Sequence, residues 1–351
     1  MKKRVPILIL LCIALIVAGI YGGIKIKNYL PFYYDKTGKN QPDTEYTLTI
    51  EKSDFENEVA IRLEQNGIIV SAIRFLGYIH ENYPDFVWLN GTYNLRADMS
   101  YKELCQKLQK PDSRIEYVKF TIPEGKNIRG IAEIVEKSGL CTKKEFLQAA
   151  DSYDYDYSFI KDLKERDQSV IGYKLEGYLF PATYEFRKDT VTAHEIVDQM
   201  LSAFSGYITD DIISKAADMG LSINELITFG SVIQAEAFSK ESMANISSVF
   251  WNRLKSSDLR QLQSDPTTTY AKGLSALDSY NEKMYNAYDT YKCIGLPAGP
   301  TNCPGMDVIN AVLNPSETDY YYFVTDSEGK FYYNKTYAAH VKTCYDIGLW
   351  K

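Results

Sequence analysis

At 351 residues the chain has room for about two or three domains, and its 45% hydrophobic content supplies a sizeable core, which excludes wholesale disorder. A formal net charge of −7 argues against nucleic acid as the main partner, because phosphate binding needs a basic surface. His80, His194 and His340 are far apart, and neither HExxH nor a paired CxxC occurs, so no zinc site and no other metal or organic cofactor is expected.

Lys2, Lys3 and Arg4 precede an uncharged run over residues 5–24, which Lys25 and Lys27 follow. About twenty apolar residues at about 1.5 Å each span a hydrocarbon core of about 30 Å. The basic start predicts a cytoplasmic tail at 1–4, a transmembrane anchor at 5–24 and a main body on the extracytoplasmic side of the cell membrane. A cleaved signal peptide ending near Ala18 and Gly19 is the rival, but the run is long for one and no polar cleavage region follows. Residues 25–45, with Pro31, Gly38 and Pro42, read as a linker. Cys12 lies in the apolar run and leaves an odd five cysteines outside it, which is not a disulfide framework; no local signature supports a Cys–His nucleophile.

An internal repeat follows. YTLTI, then Ala60 and Gly67, recurs as VKFTI, then Ala132 and Gly139, at a constant offset of 72 residues. Each copy reads as a strand, a polar turn and a helix stopped by a left-handed glycine. Between the copies a helix is predicted over 70–80, a strand in WLNGTYNL over 88–95 and a helix over 100–108. Residues 46–150 therefore read as one or two β-α-α-β units, either a glycan-binding portion or a spacer.

Residues 151–168 read as helix or loop. LEGYLFPATYEF, 175–186, gathers aromatics around Glu176 and Pro181, as a cleft-lining loop does; a core strand with a turn has the same composition. The 29 tyrosines of the chain pair a flat apolar face with a polar tip, which suits sugars, though structural tyrosines give the same count. Helices are predicted over 192–220 with breaks at Gly206 and Gly220. In the stretch 222–238, SINELITFGSVIQAEAF, Ser222 and Glu225 form a capping box that opens a helix. Leu226, Phe229, Ile233 and Glu236 then fall on one stripe. An acid on an apolar stripe loses solvation, which raises its pKa toward the range a general acid needs; a salt-bridged Glu at the stripe's edge is the plain alternative. A further helix is predicted over 240–255. QLQSDPTTTY, 261–270, reads as a turn stiffened by Pro266, whose amides, acid and hydroxyls match sugar hydroxyl and N-acetyl groups. GLPAGPTNCPG, 295–305, reads as a rigid loop, DYYYFVTDSEGKFYY as a hairpin turning at 326–329, and 337–349 as a helix.

Taken in order, FTIPEG, LNGTYNL, EGYLFPATYEF, GSVIQAEA, SSVFWNRL, LQSDPTTTY, GLPAGP and the TDYYYFV hairpin with the late His340 resemble the MltG (YceG-like) family of membrane-anchored endolytic murein transglycosylases. The likeness runs from about residue 46 onward. The resemblance implies an α+β chain: an N-terminal transmembrane helix, a LysM-like β-α-α-β portion at 46–150 and a mixed α/β catalytic domain at 151–351. It assigns the catalytic acid to Glu236 and makes Glu176, Tyr178, Gln234, Asn252, Gln263, Asp265, Thr267 and Tyr270 candidates for substrate binding. The family motif E-x-E is here Gln234-Ala235-Glu236, so no carboxylate precedes the catalytic one. Asp289 and Cys303 stand where asparagine is common, and Phe331 and Asn334 where His and Ser are.

The implied substrate is the glycan strand of peptidoglycan, with cell-wall synthesis proteins as further partners. Lytic cleavage needs one acid that first protonates the glycosidic oxygen and then removes the muramoyl 6-hydroxyl proton. Ordinary glycosidases need two carboxylates at set separations, whereas an internal nucleophile replaces the second by proximity. Two alternatives stand: a hydrolytic muramidase that recruits Asp265 or Glu176, and a non-catalytic peptidoglycan-binding scaffold.

Overall fold

In a computed structural model of the chain, the described residues are 45–237 and 239–350. The expected tail and anchor, and the linker up to residue 44, lie outside them. Among the described residues no helix is long and apolar enough to cross a membrane. The chain divides into two compact units, one ending at residue 116 and the other beginning at 117.

In the first unit β1 (Glu45–Ile50) pairs antiparallel with β2 (Gly91–Arg96), Leu48 opposite Tyr93. Between them run α1 (Glu56–Gln65) and α2 (Ala72–Asn82), and α3 (Tyr101–Leu108) follows. Alternation along the strands sends Leu48, Ile50, Tyr93 and Leu95 inward, where they meet Leu63, Phe75 and Leu104 from the helices. Ser100 caps α3 by accepting the Glu103 N–H, and the Glu103 carboxylate accepts the Ser100 N–H, the reciprocal pair that fixes a helix start. This is a β-α-α-β unit with one helix added.

The second unit opens with the second copy of the repeat. β3 (Tyr117–Thr121) leads into α4 (Ile128–Ser138), α5 (Lys143–Ala150) and α6 (Ser158–Glu165), then returns through a buried turn to β4 (Thr183–Arg187). β4 lies antiparallel to β3, Phe120 opposite Tyr184. The sequence reading placed the boundary at 150/151; the compact division falls at 116/117 instead, because β3 finds its strand partner in β4 and α4–α5 pack in the second core. Both repeat copies keep the expected glycine, Gly67 at φ 72° and Gly139 at φ 77°.

The rest of the unit is mainly helical: α7 (Ala193–Tyr207), α8 (Asp210–Asp218), α9 (Ile223–Glu236), α10 (Lys240–Lys255), α11 (Asp265–Gly273) with a 3-10 turn at Leu274–Ala276, α12 (Glu282–Tyr288) and α13 (Met306–Leu313). A hairpin, β5 (Tyr322–Thr325) and β6 (Phe331–Asn334), and α14 (Tyr337–Asp346) complete it. Two expectations fail here. Gly206 lies inside α7, which stops only at Ile208, since a lone glycine weakens a helix without ending it. In the stretch read as a Pro266 turn, residues 265–270 are helical and Pro266 lies in the first turn of α11, where proline's missing N–H costs no hydrogen bond.

α9 is the centre of this unit. The Ser222–Glu225 capping box forms as expected, and every residue from Leu226 to Ile233 is buried, so the helix is covered on all sides rather than along one stripe. It packs against α13 and α10, and α13 and β5 pack on α10 in turn. Its two ends come to the surface: the first turn, where Glu225 is exposed, and the last turn, Gln234 to Glu236, which is partly open.

Candidate active site

Glu236 is the last residue of α9 and lies on a cleft of about 670 Å³. Other walls come from Arg253 of α10, the segment 259–265, Tyr291, strand β5, and α14 with the residues after it. The Glu236 carboxyl is half-buried and accepts one hydrogen bond, at Oε1, from the Ser264 hydroxyl at 2.6 Å. Among the described residues nothing donates to Oε2. Burial holds the carboxyl above the usual carboxylate range; the Ser264 hydroxyl pulls it down and the neighbouring Asp265 charge pushes it up. The salt-bridge alternative fails: among the described residues no Lys or Arg pairs with Glu236.

Ser264 is held rigidly. It is 1% exposed, its N–H donates to Thr290 Oγ1 at 2.8 Å, and its carbonyl accepts from Thr267 Oγ1 at 2.7 Å. The two threonine hydroxyls are themselves 2.8 Å apart. Thr267 is fully buried and supports Ser264 from behind rather than facing the cleft. Asp265 does face it, and accepts from the Tyr291 hydroxyl at 2.8 Å. Tyr291 is positioned through its N–H, which donates to Asp289 Oδ1 at 3.1 Å, while Thr268 Oγ1 donates to the same oxygen at 2.8 Å.

Gln263 lines the cleft in a left-handed backbone conformation, φ 54°, which side chains other than glycine rarely adopt. The buried Arg253 guanidinium explains how it persists. It donates to the carbonyls of Gln261 (3.1 Å), Leu262 (2.9 Å) and Tyr321 (2.7 Å) and to Gln263 Oε1 at 3.2 Å. One side chain thus ties the 261–263 segment to the start of the hairpin. A smaller hollow, lined by residues 257–261, Gln263 and Ile294, shares Leu259 and Gln263 with the main cleft.

Not every residue expected at the site is there. Glu176 is 1% exposed and locked in the core: Oε1 accepts the Ile128 N–H at 2.9 Å and Oε2 the Tyr270 hydroxyl at 3.0 Å. Desolvation raises its pKa to about 8. Its turn is packed so closely that a Cβ on Gly177, φ 86°, would sit 2.4 Å from Pro300. Tyr178 is fully buried, stacked on Phe159 and donating to Asn224 Oδ1 at 3.2 Å. Tyr270 is buried against Tyr288. The aromatic turn at 175–180 is therefore core and not cleft wall. Asn252 spends its amide hydrogens on the carbonyls of Thr318 and Tyr320, both at 2.9 Å. Gln234 accepts the Gly305 N–H at 2.9 Å and holds the 295–305 loop.

Sequence reasoning missed Ser264, Arg253 and Tyr291, and it named His340 only within the family resemblance although its ring lines the cleft. Ser264 stood inside a motif already read as polar. Arg253 carried a signal in its position, a cation at the end of an apolar helix, where a buried arginine needs several acceptors. Of the residues that depart from the family pattern, Asp289 orients Tyr291 and Cys303 is buried, its N–H donating to the Lys126 carbonyl at 2.9 Å. Phe331 packs on Phe323, and Asn334 accepts from Thr343 Oγ1 at 3.1 Å.

Comparison with known proteins gives a consistent result. The sequence model of the YceG-like family matches residues 48–345. An endolytic murein transglycosylase of Streptococcus pneumoniae is 31% identical over 369 aligned positions, covering 96% of this chain and 64% of that protein. The chain thus spans under two thirds of the pneumococcal relative. An endolytic murein transglycosylase of Bacillus subtilis is 30% identical over 311 positions, 85% of this chain and 84% of the relative. The 2.6 Å crystal structure of a yceG-like protein from Listeria monocytogenes is similar at a TM-score of 0.55 and 30% identity, over 86% of this chain and 99% of that one. With its mixed helices and paired strands, and with the family match running through both units, the chain belongs to the YceG-like family.

Proposed function

We propose that the chain is a membrane-anchored endolytic peptidoglycan lytic transglycosylase that cleaves N-acetylmuramoyl–N-acetylglucosamine bonds within glycan strands. The observation that carries this reading is Glu236, a carboxyl with a raised pKa, one oxygen held by Ser264 and the other unspent, on an open cleft. The names of the relatives from Streptococcus pneumoniae and Bacillus subtilis support the reaction class.

In the first step the protonated Glu236 donates its proton to the bridging oxygen as the anomeric C–O bond breaks. In the second the Glu236 carboxylate takes the proton of the muramoyl 6-hydroxyl, whose oxygen bonds to the anomeric carbon of the same sugar. The products are a 1,6-anhydromuramoyl end and a free 4-hydroxyl, and Glu236 is again protonated. Ser264 donates a hydrogen bond in both states and keeps the carboxylate from rotating. Gln263 and Asp265 supply polar contacts to sugar substituents. The smaller hollow beyond Gln263 gives a strand room to continue past the cut, as internal cleavage requires.

The first unit, a β-α-α-β arrangement with a further helix, serves in this reading as a LysM-like glycan-binding portion. In this reading the apolar run at 5–24 anchors the protein in the cell membrane with its body outside, where it would meet nascent strands and cell-wall synthesis proteins. A second reading, hydrolysis with Asp265 assisting a water, rests on Asp265 facing the same cleft. Mass spectrometry of purified strands after incubation with the protein separates the readings. Anhydro ends are expected; reducing muramoyl ends would establish hydrolysis, and intact strands a scaffold.

A further inference from the structure

The wall of the cleft formed by β5 and α14 carries side chains that the mechanism leaves unused. Tyr322 stacks on the His340 ring, centroids 5.5 Å apart and planes within 25°, with the Arg253 guanidinium 5.2 Å from the Tyr322 centroid. Trp350 meets His340 edge-on at 6.4 Å and Tyr345 edge-on at 5.9 Å. Tyr337 lies 5.8 Å from Tyr322. After α14 the chain turns back at Gly348, φ 75°, and the Leu349 N–H donates to the Cys344 carbonyl at 2.9 Å, the closing bond of a Schellman cap. Leu349 and Trp350 are thereby fixed in place.

These groups are nonetheless open to solvent. Tyr337 is 60% exposed, Leu349 47% and Trp350 43%, and all three line the same cleft as Glu236. An ordered aromatic patch left open on a protein surface marks a binding surface. Its chemistry narrows the occupant. Flat rings with polar tips match a ligand that alternates C–H faces with hydroxyl edges, and none of the cleft-lining residues of β5 and α14 is a carboxylate. We propose that Tyr337, Tyr322 and Trp350 form a stacking ledge for sugar rings of the glycan strand beyond the one acted on by Glu236. The ledge extends the active cleft into a multi-sugar site and favours long strands over short fragments. The inference rests on the glycan-cleavage reading above.

The test uses the full chain with Glu236→Gln, so that substrate binds without turnover. Soluble glycan strands and the isolated disaccharide are titrated against intrinsic tryptophan fluorescence and by calorimetry. Strands are expected to change Trp350 emission, and Trp350→Phe to remove that change. The double variant Tyr337→Ala/Trp350→Ala is expected to bind long strands on the order of tenfold more weakly, the loss of about 1.4 kcal/mol, with a much smaller effect on the disaccharide. Tyr280→Ala, an exposed tyrosine away from the cleft, is the control for aromatic loss as such. Equal affinity of the double variant and its parent for long strands would overturn the ledge. So would a change in oligomeric state on size-exclusion chromatography without a change in glycan affinity, which would make the patch a contact between copies. Cleavage by the wild-type chain is assayed on the same strands: its absence refutes the glycan reading, whereas cleavage with an inert ledge refutes the ledge alone.

Discussion

Burial pushes both Glu176 and Glu236 above the usual carboxylate range, Glu176 to about 8. Their surroundings differ. Around Glu176 the interior is sealed, and both oxygens are already bound, one by the Ile128 N–H and one by the Tyr270 hydroxyl. Around Glu236 one oxygen is bound by Ser264 and the other faces a cleft. A raised pKa therefore reports desolvation, which a structural acid and a catalytic acid share. What separates them is an unspent oxygen with a path to a ligand.

Substitution at the two acids is the most direct way to break this contrast. Glu236→Gln is expected to lower the rate of anhydro-product formation by about a hundred- to ten-thousand-fold, the usual worth of general acid–base catalysis, without lowering the melting temperature. Undiminished product from this variant would remove Glu236 from the mechanism. Glu176→Ala should do the reverse. It strands the buried Ile128 N–H and Tyr270 hydroxyl and opens a cavity, for a loss of about 2–4 kcal/mol in denaturant unfolding. The protein that remains folded should still cleave strands. A stable Glu176→Ala protein without activity would mean that the sealed acid takes part in the chemistry.

The pH dependence of stability sharpens the same contrast. In the fold Glu176 keeps its proton up to about 8, while the unfolded chain releases it near the ordinary glutamate value of about 4.3. Between those values the folded state binds more protons, so the contribution of this carboxyl to stability is full at low pH and is lost as pH rises through about 8. Melting temperatures of wild type and Glu176→Gln, compared across that window, should diverge in the variant's favour as pH rises. A difference that stays flat with pH would mean that Glu176 is solvated.

The smallest expected effects concern Glu236's neighbours. In the proposed mechanism activity needs the protonated acid, so the rate is expected to fall as pH rises through the Glu236 pKa. Ser264→Ala removes the hydrogen bond that lowers this pKa and should move the alkaline limb upward, with a rate loss of about three- to tenfold from a looser carboxyl. Asp265→Asn removes the like charge and should move the limb downward. Shifts of the same sign in the two variants would contradict the arrangement at Ser264.

Much of this was legible in the chain itself. The Ser222–Glu225 box and its apolar spacing located α9, and the fixed offset of the repeat located β1, β3 and their helices. Residues that act locally leave local signals. Pairing partners do not: nothing near β3 announces that its strand lies at 183–187, so the unit boundary was misplaced. Glu176, Tyr178 and Tyr270 sit in motifs as polar and aromatic as those of the cleft, and only packing reveals that their polar atoms satisfy one another. The reading of α9 as one-sided failed for a similar reason, because α10 and α13 cover the faces that periodicity left free. Ser264 escaped notice because a serine beside Gln263 and Asp265 looks like more of the same polarity.

Glu236 ends its helix, with Ala237 already in extended backbone. Glu236 thus stands in the last turn, at the end of the macrodipole that resists negative charge. The field of a whole helix favours the protonated acid in the resting protein, and it does so without any single side chain that a substitution could remove. Tuning at Ser264 or Asp265 acts on top of that field. The same glutamate placed at the start of α9 would meet free N–H groups and ionise readily. The direction in which the chain runs into its own cleft is itself part of the proton's address.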